Sequence, residues 1–227
     1  MAAAEAREAG HSRARLRTFC GARTRLLPGS STEGGGERAV DSGAAGRVKG
    51  GGAVAVHALF IGGARSGKSA LAEERALSLG GENVLYVATA LAHPEDPELL
   101  HRIEEHRERR SLAWDVLELE GGSLAPVLAT AGEHGAVLLD SLTLWVSARM
   151  LGGDEDGTLE EFERLVTGVS ELSEPVILVS DEVGLGVVPE SAEGRRFRDL
   201  LGLVNQRAAA AAEEVYLCVA GIGSRVK

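Results

Sequence analysis

The chain has only two cysteines, no long apolar run, no excess of positive charge and almost no lysine, and each shortage excludes something. Cys20 and Cys218 lie almost two hundred residues apart, which excludes a disulfide scaffold and fits a reducing cytoplasm. No apolar run approaches the ~18 residues that cross a bilayer, so no membrane insertion is expected. A net charge of -10 argues against a sequence-blind nucleic-acid binder, because that role needs a basic face to displace counterions. Of 24 basic residues 21 are Arg, and the three lysines stand at 49, 68 and 227. With 227 residues, 44% hydrophobic and 26% charged, the chain can form one large domain or two small ones.

Charge and hydrophobicity divide it unequally. Residues 1–55 carry nine basic and five acidic side chains, +4, which leaves 15 minus 29, or -14, for the remaining 172. The first part has few large apolar residues and is broken by the glycine-rich stretches 29–36 and 49–52. Such a segment buries too little apolar area to offset its ordering entropy, so 1–55 is read as a disordered basic leader. A transit peptide is a poor match because of Glu5 and Glu8; a flexible tail and a start codon assigned too far upstream are the other readings.

From residue 56 to 227 apolar β-rich runs alternate with helical patterns. Strands are expected at 54–61, 84–88, 116–119, 136–140, 176–180 and 215–220. Helices are expected at 68–79, 98–110, 124–131, 142–150, 159–172 and 195–212. Several of the strands are apolar throughout, as strands buried on both faces of a parallel sheet should be. The alternation implies a single α/β domain, a mostly parallel sheet flanked by helices. Ligands of such sheets bind beyond the carboxyl ends of the strands.

The first of these strands runs into Gly62, Gly63, Ala64, Arg65, Ser66, Gly67, Lys68 and Ser69, which fits the phosphate-loop pattern. Glycines let successive N–H groups point inward around a phosphate, and the following helix adds its positive end. Lys68 would reach the β- and γ-phosphates, and the Ser69 hydroxyl would ligate Mg²⁺. Asp140 ends the apolar run 136–139, the form of an acid that holds Mg²⁺; capping of the next helix is the other reading. Asp181 and Glu182 also end an apolar strand, with capping, a loop role and catalysis all open. On the expected helix 98–110 the apolar stripe is Leu99, Leu100 and Ile103, and His106 continues it, whereas His101 and Glu104 fall on the opposite face. Arg102, Arg107, Arg109 and Arg110 surround His106 and suit a triphosphate. An imidazole beside arginines tends to stay neutral and nucleophilic; a helix-terminal histidine bonded to the last carbonyls is the alternative.

Several collinear segments resemble a known family. They are 62–69, 86–90 (Tyr-Val-Ala-Thr-Ala), 102–107 (Arg-Ile-Glu-Glu-His-Arg), Trp114 with Glu118, 138–145 (Leu-Leu-Asp-Ser-Leu-Thr-Leu-Trp), 182–190 and 196–207. Over roughly 57–227 the chain is similar to the bifunctional adenosylcobinamide kinase and adenosylcobinamide-phosphate guanylyltransferase family of cobalamin biosynthesis. That resemblance implies phosphorylation of the aminopropanol hydroxyl of adenosylcobinamide with ATP or GTP. Transfer of GMP from GTP through a guanylylated histidine then gives adenosylcobinamide-GDP. Some relatives have two successive histidines where this chain has Glu105-His106; because the flanking Arg-Ile and Arg are kept, the resemblance implies His106 as the nucleophile and Lys68 as the other catalytic residue.

It further implies that the phosphate loop, Ala88, Thr89, Ala90, Arg107, Glu108, Arg109, Arg110, Glu118 and Asp140 line the nucleotide site. Mg²⁺ would rest on Ser69 and Asp140, Glu118 would take a guanine edge or a ribose hydroxyl, and Glu182 is named for the general base. Family members are homo-oligomers, with a trimer implied. A phosphate-loop kinase without guanylyl transfer and a non-catalytic nucleotide switch share the loop and stand as alternatives.

Overall fold

The computed structural model describes residues 15–17, 56–89, 101, 104, 113–119 and 122–227. Eight strands form one sheet: β1 (Arg15–Arg17), β2 (Val56–Gly62), β3 (Val84–Ala88), β4 (Asp115–Glu118), β5 (Ala136–Asp140), β6 (Val176–Asp181), β7 (Ala212–Val219) and β8 (Ile222–Arg225). Their spatial order is β1-β4-β3-β5-β6-β2-β7-β8. The six central strands run parallel, and β1 and β8 close the two edges antiparallel. Of the leader 1–55 only Arg15–Arg17 falls within the described residues, paired with the otherwise open edge of β4.

Five helices complete the described elements: α1 (Lys68–Gly80), α2 (Ala125–Ala131), α3 (Leu142–Leu151), α4 (Asp156–Val169) and α5 (Ala192–Ala211). Successive strand residues point to opposite faces, and the apolar strands therefore feed two cores. Leu59, Leu85, Val87, Leu139, Leu178 and Val215 face α2 to α5, meeting Trp145, Phe162 and Leu201. Ala58, Phe60, Tyr86, Leu138, Ile177 and Val179 face α1 through Ala72 and Ala76. The few aromatic rings are placed at the joints. Phe60 stacks on Tyr216 across β2 and β7 at 4.8 Å, and the Trp145 indole donates to the Gly122 carbonyl at 2.7 Å.

β3 and β5 have the predicted bounds, the other four predicted strands differ by one to three residues at an end, and β1 lies in a segment where no strand is expected. The helix expected at 159–172 starts earlier, at Asp156, where the backbone of Thr158 bonds Glu155 at 3.2 Å. The chain also turns back after β7. Ala220 and Gly221, both at positive φ, make the two-residue turn that adds β8, a strand absent from the sequence expectation. Among the described residues no helix is long and apolar enough to cross a membrane.

Candidate functional site

Six parallel strands deliver their last residues to one edge. Gly62, Asp181, Asp140, Ala88 and Glu118 end β2, β6, β5, β3 and β4 in that order across the sheet, with β7 on the other side of β2. The phosphate loop 62–69 leaves the sheet at its middle. Ser66 N–H bonds the Gly63 carbonyl at 3.2 Å and Leu71 N–H bonds Gly67 at 3.1 Å, so the loop passes directly into α1. Arg65 and Gly67 both have positive φ, 56° and 89°. Backbone alternating in this way turns successive N–H groups inward and forms an anion nest. The Ser66 hydroxyl is buried inside the loop without a hydrogen-bond partner among the described residues, a donor left for a phosphate oxygen.

The β7–β8 turn braces this loop. Gly221 N–H donates to the Ser66 carbonyl at 2.8 Å, and a Cβ on Gly67 would stand 2.9 Å from the Gly221 Cα. A Cβ on Gly62 would strike the Cys218 carbonyl and lie 2.7 Å from Ser66 Oγ. Gly67→Ala therefore meets two penalties, roughly 1–2 kcal/mol for an L residue in the left-handed region and a backbone collision that flexible side chains cannot relieve. The expected result is a thermal midpoint lower by several degrees and a larger loss of nucleotide affinity, measured by melting with and without nucleotide. An unchanged midpoint would contradict the packing argument. The buried Cys218 thiol is pushed up in pKa by desolvation, with the Lys68 charge acting in the opposite sense, so it stays protonated beside the loop.

Lys68 Nζ lies 2.5 Å from Asp181 Oδ1 and 3.3 Å from the Gly63 carbonyl. Asp181 is in turn held by its own peptide: its N–H donates to Thr143 Oγ1 at 2.8 Å, and its carbonyl accepts from Asn205 Nδ2 at 3.0 Å. Ser180 Oγ fixes Asn205 through a 2.6 Å bond to Oδ1. Sequence pattern leaves Asp181 open among capping, loop and catalytic roles, and the contact with Lys68 follows from β6 lying directly beside β2. That is a fact of strand order, which no local pattern reports. The Glu182 carboxylate accepts the Gly184 N–H at 2.5 Å.

For Asp140 the structure speaks to the capping reading alone. The cap of α3 is Ser141, whose hydroxyl accepts from Leu144 N–H at 3.4 Å. The Asp140 carboxylate, buried, instead accepts from Tyr86 OH at 3.2 Å. A carboxylate and the Ser69 hydroxyl at one edge suit Mg²⁺ carried on a nucleotide, since that ion takes one or two protein ligands and completes its shell with phosphate and water.

Thr89 is buried, and its hydroxyl is spent on the neighbouring strand end. It donates to the Ser141 carbonyl at 2.7 Å and accepts from Ser141 N–H at 2.8 Å, tying β3 to β5 where their ladder stops. Glu118 ends β4, four strands from Gly62, or about 19 Å at ~4.8 Å per strand. The predicted nucleotide contacts among the described residues thus lie along an edge, at a length comparable to an extended nucleoside triphosphate. His101 and Glu104 are helical and exposed, as expected for the face opposite the apolar stripe. Ala90, His106, Arg107, Glu108, Arg109 and Arg110 lie outside the described residues.

Comparison with known proteins matches residues 58–226 to the model of the family described as cobinamide kinase / cobinamide phosphate guanyltransferase. A bifunctional adenosylcobalamin biosynthesis protein of Pseudomonas aeruginosa, CobP, is 44% identical over 170 residues, covering 74% of this chain and 96% of that one. CobU proteins of the same description from Salmonella typhimurium and Escherichia coli are 38% and 39% identical over 182 residues, covering 74% of this chain and 98% of each. The phosphate loop, the order of acids along the edge and this extent of identity together show that the chain belongs to the cobinamide kinase / cobinamide phosphate guanyltransferase family.

Proposed function

We propose that the protein phosphorylates adenosylcobinamide with ATP or GTP and then guanylylates the product. The observation that carries the reading is the anion nest of residues 62–69 with Lys68 at its mouth, in a chain of this family. In the first reaction the aminopropanol hydroxyl oxygen attacks the γ-phosphorus, the nucleoside diphosphate leaves and the hydroxyl proton passes to a base. The loop N–H groups, the α1 N-terminus and Lys68 orient the phosphates and oppose their growing charge. Ser69 and Asp140 would hold Mg²⁺, which would neutralise phosphate charge, and Tyr86 donates to the Asp140 carboxylate.

In the second reaction a neutral His106 imidazole nitrogen attacks the α-phosphorus of GTP and pyrophosphate leaves. An oxygen of cobinamide phosphate then attacks the phosphorus, breaking the P–N bond and returning the imidazole. The edge geometry supports one extended GTP with its base toward Glu118 and its phosphates toward the loop, Asp140 lying midway. Ala88, Thr89 through its backbone, Ala90 and the arginines at 107, 109 and 110, with Glu108, complete the proposed nucleotide contacts. Incubation with GTP labelled at the α or the γ position, followed by denaturing separation, tests the scheme. Acid-labile protein label is expected from the α position only, and its absence from protein active as a kinase would remove the transferase half.

Two further outcomes follow. Asp181→Asn removes a carboxylate that competes with phosphate for the Lys68 ammonium. Nucleotide should bind roughly tenfold more tightly, read by titration in the absence of divalent metal; weaker binding would show that Asp181 helps to hold the nucleotide. The catalytic unit is proposed as 56–227, so a chain begun at Gly52 should fold and keep both activities, and failure to fold would refute the leader reading. The cytoplasm as its compartment and the trimer implied by resemblance belong to the same proposal, the latter checked by sedimentation.

A further inference from the structure

We propose that residues 185–188 form the docking surface for the acceptor of phosphate transfer, a large ring with methyl groups on its rim, seating it so that its hydroxyl reaches the phosphate loop. The proposal rests on the kinase reading and names the part of that site which receives the acceptor. Single exposed apolar residues are ordinary. Here Leu185 is 85% exposed, Val187 95% and Val188 59%, three apolar side chains turned to solvent within four residues. Such concentration marks a contact surface.

The position of the segment is set by its neighbours. It follows β6, the strand beside β2, and Glu182 N–H bonds the Gly62 carbonyl at 3.1 Å, directly under the phosphate loop. Leu185 stands four positions after Asp181, which touches Lys68, so its Cα lies at most roughly 14 Å from the Asp181 Cα.

Both ends of the segment are held. At its start Gly184 N–H bonds the Glu182 carboxylate at 2.5 Å, while Val183 packs against the larger core. At its end the Arg195 guanidinium donates to the carbonyls of Pro189 and Glu190 at 2.9 and 2.7 Å. The backbone is thereby fixed by polar bonds, and Leu185, Val187 and Val188 contribute no burial to it. A corrin ring bears methyl groups between the amide side chains of its rim and carries the reacting hydroxyl on one side arm. An apolar platform beside the phosphate loop fits that shape: the ring rests on the platform and the arm reaches the γ-phosphate.

The test compares the full-length protein with Leu185→Ser/Val187→Ser, both exposed positions whose change leaves the core intact. Equilibrium binding of adenosylcobinamide and the KM and kcat of its phosphorylation are measured, with sedimentation alongside. The double variant should raise the dissociation constant and KM for adenosylcobinamide by about tenfold or more, with the KM for nucleotide and the oligomeric state unchanged. Leu151→Ser is the control. Leu151 is 75% exposed but lies at the far end of α3, about 15 Å from the site edge at ~1.5 Å per residue; it should have no effect. Unchanged corrinoid affinity in the double variant, an equal effect of Leu151→Ser, or a change of assembly without a change in KM would each overturn the proposal. Wild-type protein that neither binds nor phosphorylates adenosylcobinamide would overturn the kinase reading and this inference together, an outcome distinct from a variant that behaves as wild type.

Discussion

Lys68→Ala should lower the rate of phosphate transfer to adenosylcobinamide by about three orders of magnitude. A single preorganised donor at a developing negative charge is worth about 10²–10³ in kcat, and Lys68 adds a full positive charge to that geometry. It stands at the mouth of a loop rich in neutral N–H donors, and it is positioned by Asp181 at 2.5 Å and the Gly63 carbonyl at 3.3 Å. Lysine is scarce in this chain, and the arginines that replace it elsewhere present a planar fork instead of a compact ammonium. Lys68→Arg should therefore recover only a small part of the loss. Folding should survive with a lower melting midpoint, because the side chains of the ion pair are only 12% and 26% exposed and removing Lys68 leaves Asp181 without its cation. Single-turnover phosphorylation with melting as a control makes the measurement, and a variant that retained most of its rate would exclude this loop as the phosphoryl site.

His106→Ala should abolish α-label on the protein and reduce GMP transfer by roughly 10⁴-fold or more, the scale seen when a covalent nucleophile is removed. Kinase activity should stay within about threefold, because phosphate transfer to the hydroxyl needs no covalent enzyme intermediate. The two variants thus divide the activities. Lys68→Ala stops the first reaction whatever happens to the second, and His106→Ala stops the second while leaving the first. Persistence of acid-labile α-label in His106→Ala would assign the nucleophile to another residue.

Local chemistry explains why so much of the fold is legible in the sequence. Val84–Ala88 and Ala136–Asp140 are apolar almost throughout because both faces of a central parallel strand are covered, and both have the predicted bounds. The phosphate loop needs a glycine where φ is positive and a helix directly after it; both requirements lie within eight consecutive residues. Differences between expectation and structure cluster where contacts are distant. The β8 return depends on a two-residue turn and on pairing with β7, and Ile222–Arg225 alone shows no strand pattern strong enough to announce it. Asp140 is ambiguous between metal ligand and cap because the two roles look alike in sequence. The bond of Leu144 N–H to the Ser141 hydroxyl gives the cap to Ser141, while the Asp140 carboxylate accepts from Tyr86.

An α/β domain, the phosphate loop with Lys68 and Ser69, and the acids that end β5 and β6 are all written in the amino-acid order, because strand burial, glycine conformation and helix starts are set by residues near one another in the chain. Which acid meets Lys68 is settled only by packing. β6, β2 and β7 become neighbours through crossovers of many residues, and nothing in any one segment encodes that order. The same reason applies to the brace of Gly221 on Ser66, to the spread of Gly62, Asp140 and Glu118 along one edge, and to the apolar segment 185–188 beside the loop. The scarcity of lysine marks the residue that needs an ammonium; only the packed sheet shows the carboxylate that holds it.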